Sequence, residues 1–232
     1  MKPEASFYPV RVRGDLDPAL SRWQWLVKWI LAIPHYIVLF FLQIAYAVVT
    51  VIAFFAILFT GKYPRGLFDF NVGVLRWRWR VLFYAVFALG TDKYPPFSLK
   101  PNVEYPADLE IDYPERLHRG LVLIKWWLLA IPHYLILIAF YGGVRFFDSN
   151  DAGGWGGGYL WVPLIPVLLL IAMVTLLFTA RYPKGLYDFV IGIDRWVLRV
   201  QAYVSLMCDE YPPFRLDMGP REPESLAAPK SA

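Results

Sequence analysis

An apolar run over residues 23–60, in which Lys28 is the one charged side chain, constrains this chain more than any other feature. A stretch of about 18 or more apolar residues reads as a membrane span, because about 20 helical residues cross the bilayer hydrocarbon. Residues 121–141 and 159–180 form two further runs of this kind. They help raise the apolar fraction to 58%, where a soluble domain has roughly 45–50%.

The runs belong to a repeating pattern. Residues 31–36 read LAIPHY, and residues 129–134 read LAIPHY again. Residues 63–70, YPRGLFDF, return as YPKGLYDF at 182–189. Arg76, Trp77 and Arg80 are matched by Arg195, Trp196 and Arg199, and the closing DKYPPF of 92–97 by DEYPPF at 209–214. The spacing is longer in the second copy, which carries a glycine-rich insertion over residues 142–158. That insertion divides the second apolar stretch into two pieces of about 21 residues, each long enough to span. By analogy, the first run is expected to be two spans joined by a tight turn near Gln43. A single helix of about 38 residues would reach about 57 Å, well beyond a ~30 Å core.

The expected fold is therefore an all-α membrane protein with four transmembrane helices arranged as two tandem hairpins. Each hairpin would be followed by a basic amphipathic interfacial helix, with small cytoplasmic β segments beside them. The first repeat would cover residues 8–99 and the second 105–216, leaving a disordered tail at 217–232. Val10 and Val12, and Leu109 and Ile111, alternate with polar residues at the period of a half-buried strand. Residues 97–99 and 214–216 are further short strand candidates, each begun by a Pro-Pro that blocks helix.

Of the 23 Lys and Arg, only Arg145 falls in the glycine-rich insertion. The positive-inside rule then places both termini in the cytoplasm and the inserted loop outside. With an even number of spans per copy, the two copies would be related by an axis along the membrane normal, unlike inverted transporter repeats. The first 22 residues mix acids, bases and three prolines and do not read as a signal peptide, so the first span is expected to act as its own insertion signal. Cys208, the one cysteine, excludes an internal disulfide and a cysteine-based metal site, and reads as a packed thiol.

Candidate chemistry concentrates after each apolar stretch. Arg65, Asp69, Gly73, Arg76, Arg80 and Tyr84 recur at steps of three and four, the spacing of one helix face. Lys184, Asp188, Gly192, Arg195, Arg199 and Tyr203 repeat that stripe. One reading makes Arg65–Asp69 and Lys184–Asp188 intrahelical ion pairs, each contributing about 0.3–0.5 kcal/mol, with the rest anchoring the helix. The other makes the stripes a paired basic groove for anionic phospholipid headgroups or an acidic partner, since the arginine fork binds phosphate in a bidentate way. His35 and His133 follow Pro34 and Pro132 inside apolar stretches, and an ionisable residue at membrane depth is a functional candidate. A neutral histidine bonded to kinked backbone is one outcome. A pair ligating haem b or relaying protons is the other. Lys28 and Lys125 read as snorkelling side chains. Arg116, His118 and Arg119 read as positive-inside charge, and Asp92, Asp209 and Glu210 as turn formers.

No phosphate-binding glycine loop, HExxH or GxSxG occurs, so no residue is assigned as catalytic or as a metal ligand. LAIPHY, YP-x-GL-[FY]-DF, RWxxR and D-x-YPPF together resemble a bacterial membrane-protein family known as domain of unknown function 4389. The second copy departs from the first in its inserted loop, in two residues lost between Tyr203 and Asp209, and in Arg215 where the first has Ser98. The resemblance implies an integral protein of the bacterial inner membrane and implies no activity. The expected function is a non-enzymatic scaffold or accessory subunit that binds anionic lipid or another membrane protein, without nucleic acid. A small transporter or haem-based redox protein using His35 and His133 is the alternative. A lipid-directed enzyme using Asp69 and Asp188 ranks third.

Overall fold

The computed structural model describes residues 8–86, 88–138, 140, 164–179 and 181–221; the glycine-rich insertion lies outside the described residues. Strand β1 (Val10–Gly14) leads to a short helix α1 (Trp25–Leu31) and then, past Ala32, to the 28-residue helix α2 (Ile33–Thr60). Helix α3 (Arg65–Ala85) runs back along α2. Lys28 sits over the Tyr84 ring at the end of α3, while Thr50 meets Asn71 near its start. Strand β2 (Ala107–Ile111) follows. Next come α4 (Arg119–Ile124), one π-helical turn (Lys125–Leu129), α5 (Ile131–Leu137), α6 (Leu164–Thr179) and α7 (Lys184–Val204).

The expected four transmembrane helices in two tandem hairpins are not what the chain forms. Among the described residues, two helices are long and apolar enough to cross a membrane, Ile33–Thr60 and the continuous stretch Arg119–Leu137. Helix α6, with 16 residues, is shorter. No turn occurs at Gln43, which lies in the interior of α2. The physical reason is local: from His35 to Thr60 the chain contains no glycine or proline that could break a helix. Gly61 is the first residue that can, and at φ +72° it closes α2 in the left-handed conformation.

The strand pair is antiparallel, with Val12 opposite Leu109 at its centre. Each strand buries its alternate apolar residues. β2 packs against α3 and β1 against α7, so the strand opening each half lies on the helix of the other. α2 joins α3 on one side and α4 on the other, and α7 meets the π-helical turn. The result is three layers: outer apolar helices, the α3 and α7 layer, and the strand pair. Helices α3 and α7 were expected at a membrane interface; they are instead buried between the two other layers. Residues 97–99 and 214–216 are irregular, not strands. The tail expected to be disordered from residue 217 is held as far as Arg221: the Pro220 carbonyl accepts a bond from the Gly14 amide, and Arg221 pairs with Asp15.

The π-helical turn has a simple origin. One residue more lies between Lys125 and Pro132 than between Lys28 and Pro34. An extra residue in an α-helix would turn everything before it by about 100° around the axis. A π turn absorbs it, leaving Lys125 and His133 both buried on the inward side, as Lys28 and His35 are.

Candidate functional site

Arg76 and Arg80 are buried, as are Arg195 and Arg199. In the first half, Arg76 donates to the Leu109 and Leu99 carbonyls, and Arg80 to those of Ser98 and Lys100. Asp108 lies 3.1 Å from Arg76 and 3.0 Å from Arg80 and pairs with both. Burial pulls both guanidinium pKa values below their ordinary range, and Asp108 acts against it. In the second half, Arg195 donates to the carbonyls of Val12, Asp217 and Gly219. Arg199 forms a 2.7 Å ion pair with Asp217. The four arginines expected to line a headgroup groove thus face inward and staple the segments following each YPPF motif to the helices. Gly73 permits this on α3, because a Cβ there would meet the Leu99 Cβ at 2.8 Å.

The remaining stripe residues sit apart from these clusters. Arg65 and Asp69 are exposed and 3.9 Å apart, a pair contributing at most a few tenths of a kcal/mol. Lys184 is exposed and Asp188 half-buried.

Lys28 and Lys125 are not snorkelling. Both ammonium groups are buried, Lys28 on Asp92 at 2.7 Å and the Thr91 carbonyl, Lys125 on Asp209 at 2.8 Å and the Cys208 carbonyl. Sequence reading treated these lysines and acids separately; the signal it missed is that both recur at matching places in the two motif copies. Cys208 lies beside the Lys125–Asp209 pair, its thiol pushed up to about 12 by burial.

His35 and His133 are fully buried, each in an aromatic enclosure of its own half. His35 stacks on Phe97 at 3.9 Å and accepts a bond from Trp77 Nε1. His133 stacks on Phe214 at 4.5 Å. Tyr94 and Tyr211 close the two enclosures and donate to the Leu31 and Leu129 carbonyls. Each histidine ring thus has one face covered by a phenyl group of its own half. The YPPF phenylalanines therefore act as lids on the histidines. Among the described residues no group of three His, Cys, Asp or Glu side chains could hold a metal ion.

A family model described as a domain of unknown function (DUF4389) matches residues 22–98 and 159–215, more than half of the chain. The chain belongs to that family. The first DUF4389 segment holds Lys28, His35, Arg76, Arg80 and Phe97 together; the second begins after the glycine-rich insertion and leaves the second LAIPHY outside. No curated protein and no solved structure matches the chain.

The side that the long helices present outward is apolar. On α2, Ile37, Phe41, Ile44, Val48, Phe55 and Phe59 are exposed, and on the neighbouring stretch Trp127, Leu135 and Ile138. No exposed charge interrupts α2. Where α2 ends and α4 begins, Arg116, His118, Arg119 and Gly61 line a pocket of about 370 Å³.

Proposed function

We propose that this DUF4389 protein is a non-enzymatic, membrane-attached scaffold or accessory subunit. It is seated on the cytoplasmic face of the bacterial inner membrane and presents its strand-pair side to a partner. The observation that carries this reading is the uninterrupted exposed apolar side of α2 and the α4–α5 stretch, on a body whose other side carries the Arg11–Asp112 and Arg221–Asp15 ion pairs. Exposed apolar patches of this extent mark membrane or protein interaction sites. The strong polar groups of α3 and α7 support a scaffold over an enzyme, because they hold the chain's own carbonyls and carboxylates.

The test is extraction from the native membrane. The protein is expected to stay with the membrane through high salt and alkaline carbonate, and, once purified, to float with phospholipid vesicles. Release by carbonate together with failure to float would overturn the membrane reading. Turnover of a lipid substrate by the purified protein would overturn the non-enzymatic one.

A further inference from the structure

Membrane attachment leaves open how the long helices meet the bilayer, and the packing constrains the answer. α2 is not free of the body at either end or in its middle: Ala32, His35, Tyr46, Ala53 and Ile57 are buried along its inward side. α3 follows it in the opposite direction, with Lys28 over Tyr84, His35 on Trp77 and Thr50 on Asn71. The strand pair lies behind α3, held by Arg76 on Leu109 and Trp79 on Arg13. Its outer edge carries Arg11, Glu110 and Asp112 in a partly exposed ion cluster.

If α2 crossed the membrane, α3 and this cluster would be carried to hydrocarbon depth beside it. Charged side chains facing lipid at that depth are strongly disfavoured, and so are the edges of a two-stranded sheet, whose unpaired backbone groups find no partners in lipid. A helix of 28 residues is also about 42 Å long, against a core of about 30 Å. Laid flat, the same structure has no such conflict. The apolar side of α2 and the α4–α5 stretch then faces one leaflet, and the strand pair faces water. Trp23, Trp29, Trp126 and Trp127, all exposed, fall at the headgroup level that tryptophan favours. The pocket of Arg116, His118 and Arg119 comes to the same level, its charge complementary to an anionic phospholipid headgroup.

Resting on the membrane-attached reading above, we propose that α2 and the α4–α5 stretch lie in the plane of a single leaflet, that neither crosses the bilayer, and that the arginine pocket takes the phosphate of an anionic phospholipid. This is the arrangement of an amphipathic interfacial helix, built here from helices whose polar side is covered by the rest of the protein.

The two ends of the α1–α2 run decide it. Arg22 and Lys62 are exposed, and single cysteines are placed there, Arg22→Cys or Lys62→Cys, in a Cys208→Ala background. Full-length protein is treated in inside-out and right-side-out membrane vesicles with a membrane-impermeant maleimide. Both positions are expected to label in inside-out vesicles and neither in right-side-out ones. Labelling from opposite sides would show that α2 crosses and would overturn the proposal while leaving membrane attachment standing. Absence of both variants from the alkaline-washed membrane fraction, or a second copy covering the apolar side in a lipid-free dimer, would instead overturn attachment. For the pocket, Arg116→Gln with Arg119→Gln is expected to lose the preference for phosphatidylglycerol vesicles, binding them no better than phosphatidylcholine ones. An unchanged preference would remove the headgroup site, and competition by inorganic phosphate alone would show a free-phosphate site in its place.

Discussion

Arg76 and Arg195 reach the strand pair from the two helices of one layer and meet opposing residues of it: Arg76 donates to the Leu109 carbonyl and Arg195 to that of Val12. The charges around them differ. In the first half, one carboxylate on β2, Asp108, serves both Arg76 and Arg80. In the second half, β1 supplies no acid, and its Arg11 turns outward to Asp112. Asp217, beyond the last YPPF motif, takes the role for Arg199. The first half thus takes its counter-charge from a strand that the second half contributes, and the second half from its own tail. The order of the segment after residue 216 follows from that need for a counter-charge.

The largest expected effect comes from removing that charge. Asp108→Ala leaves two buried guanidinium groups facing one another without a carboxylate, a loss of about 3–5 kcal/mol by the usual cost of breaking a buried pair. Asp217→Ala strips one buried arginine, Arg199, and the exposed Arg215 of their acid while Arg195 keeps its carbonyls, and is expected to cost less. Denaturant unfolding in detergent ranks the two. Equal losses would mean that the sharing of one carboxylate by two buried arginines has no energetic consequence.

The second comparison is the extra residue before Pro132. Deleting Trp127 converts the π turn to α-helix and leaves Lys125 and His133 on the inward side, so it is expected to shift stability by under about 1 kcal/mol. Deleting Trp29 in the first half removes a residue that α1 needs and swings Lys28 about 100° away from Asp92. The stranded carboxylate and ammonium make that deletion cost about 3 kcal/mol. The yield of folded protein after gentle extraction separates the two, and a tolerated Trp29 deletion would refute the bulge explanation.

Gly73 and Gly192 give a smaller contrast. A methyl group at Gly73 meets the Leu99 Cβ at 2.8 Å and its carbonyl oxygen at 3.1 Å, whereas at Gly192 the nearest atom, the Leu216 Cβ, is 3.4 Å away. Gly73→Ala is expected to cost about 1–3 kcal/mol through overpacking. Gly192→Ala is expected to be neutral or to gain up to about 1 kcal/mol from helix propensity. Melting temperatures of the two variants check the sign at each position.

The sequence made the elements easier to read than their places. The recurrence of LAIPHY, YP-x-GL and YPPF marks two related halves, and period-two alternation at Val10, Val12, Leu109 and Ile111 marks both strands. That each strand would lie on the other half's helix was not legible, because pairing depends on contacts about a hundred residues apart that no local pattern encodes. Arg76 and Arg80 read as exposed for the same reason: their partners Leu99 and Asp108 lie outside the helix that carries them. The turn at Gln43 was inferred from the second half's insertion and not from Gln43's own neighbours, which are all compatible with helix. The lysine–aspartate pairs went unread because each member has an ordinary explanation alone, one in snorkelling and the other in turn formation.

The finest contrast lies in the histidine enclosures. Trp77 Nε1 donates to His35 Nδ1 at 3.1 Å, whereas Trp196 Nε1 and both nitrogens of His133 have no hydrogen-bond partner among the described residues. Both tryptophans are buried, at 6% and 2% exposure, so replacing either by phenylalanine removes similar packing. Only Trp77→Phe also breaks a hydrogen bond and leaves a buried acceptor unsatisfied, whereas Trp196→Phe removes a donor that was already unmatched. The difference between the two variants should therefore be about 1–2 kcal/mol, with Trp77→Phe the less stable. Unfolding midpoints measured side by side in one detergent would show it. Equal midpoints would mean that the His35–Trp77 bond contributes no net stability. The stacked Phe97 and Phe214, present in both halves, would then be what keeps each histidine in place.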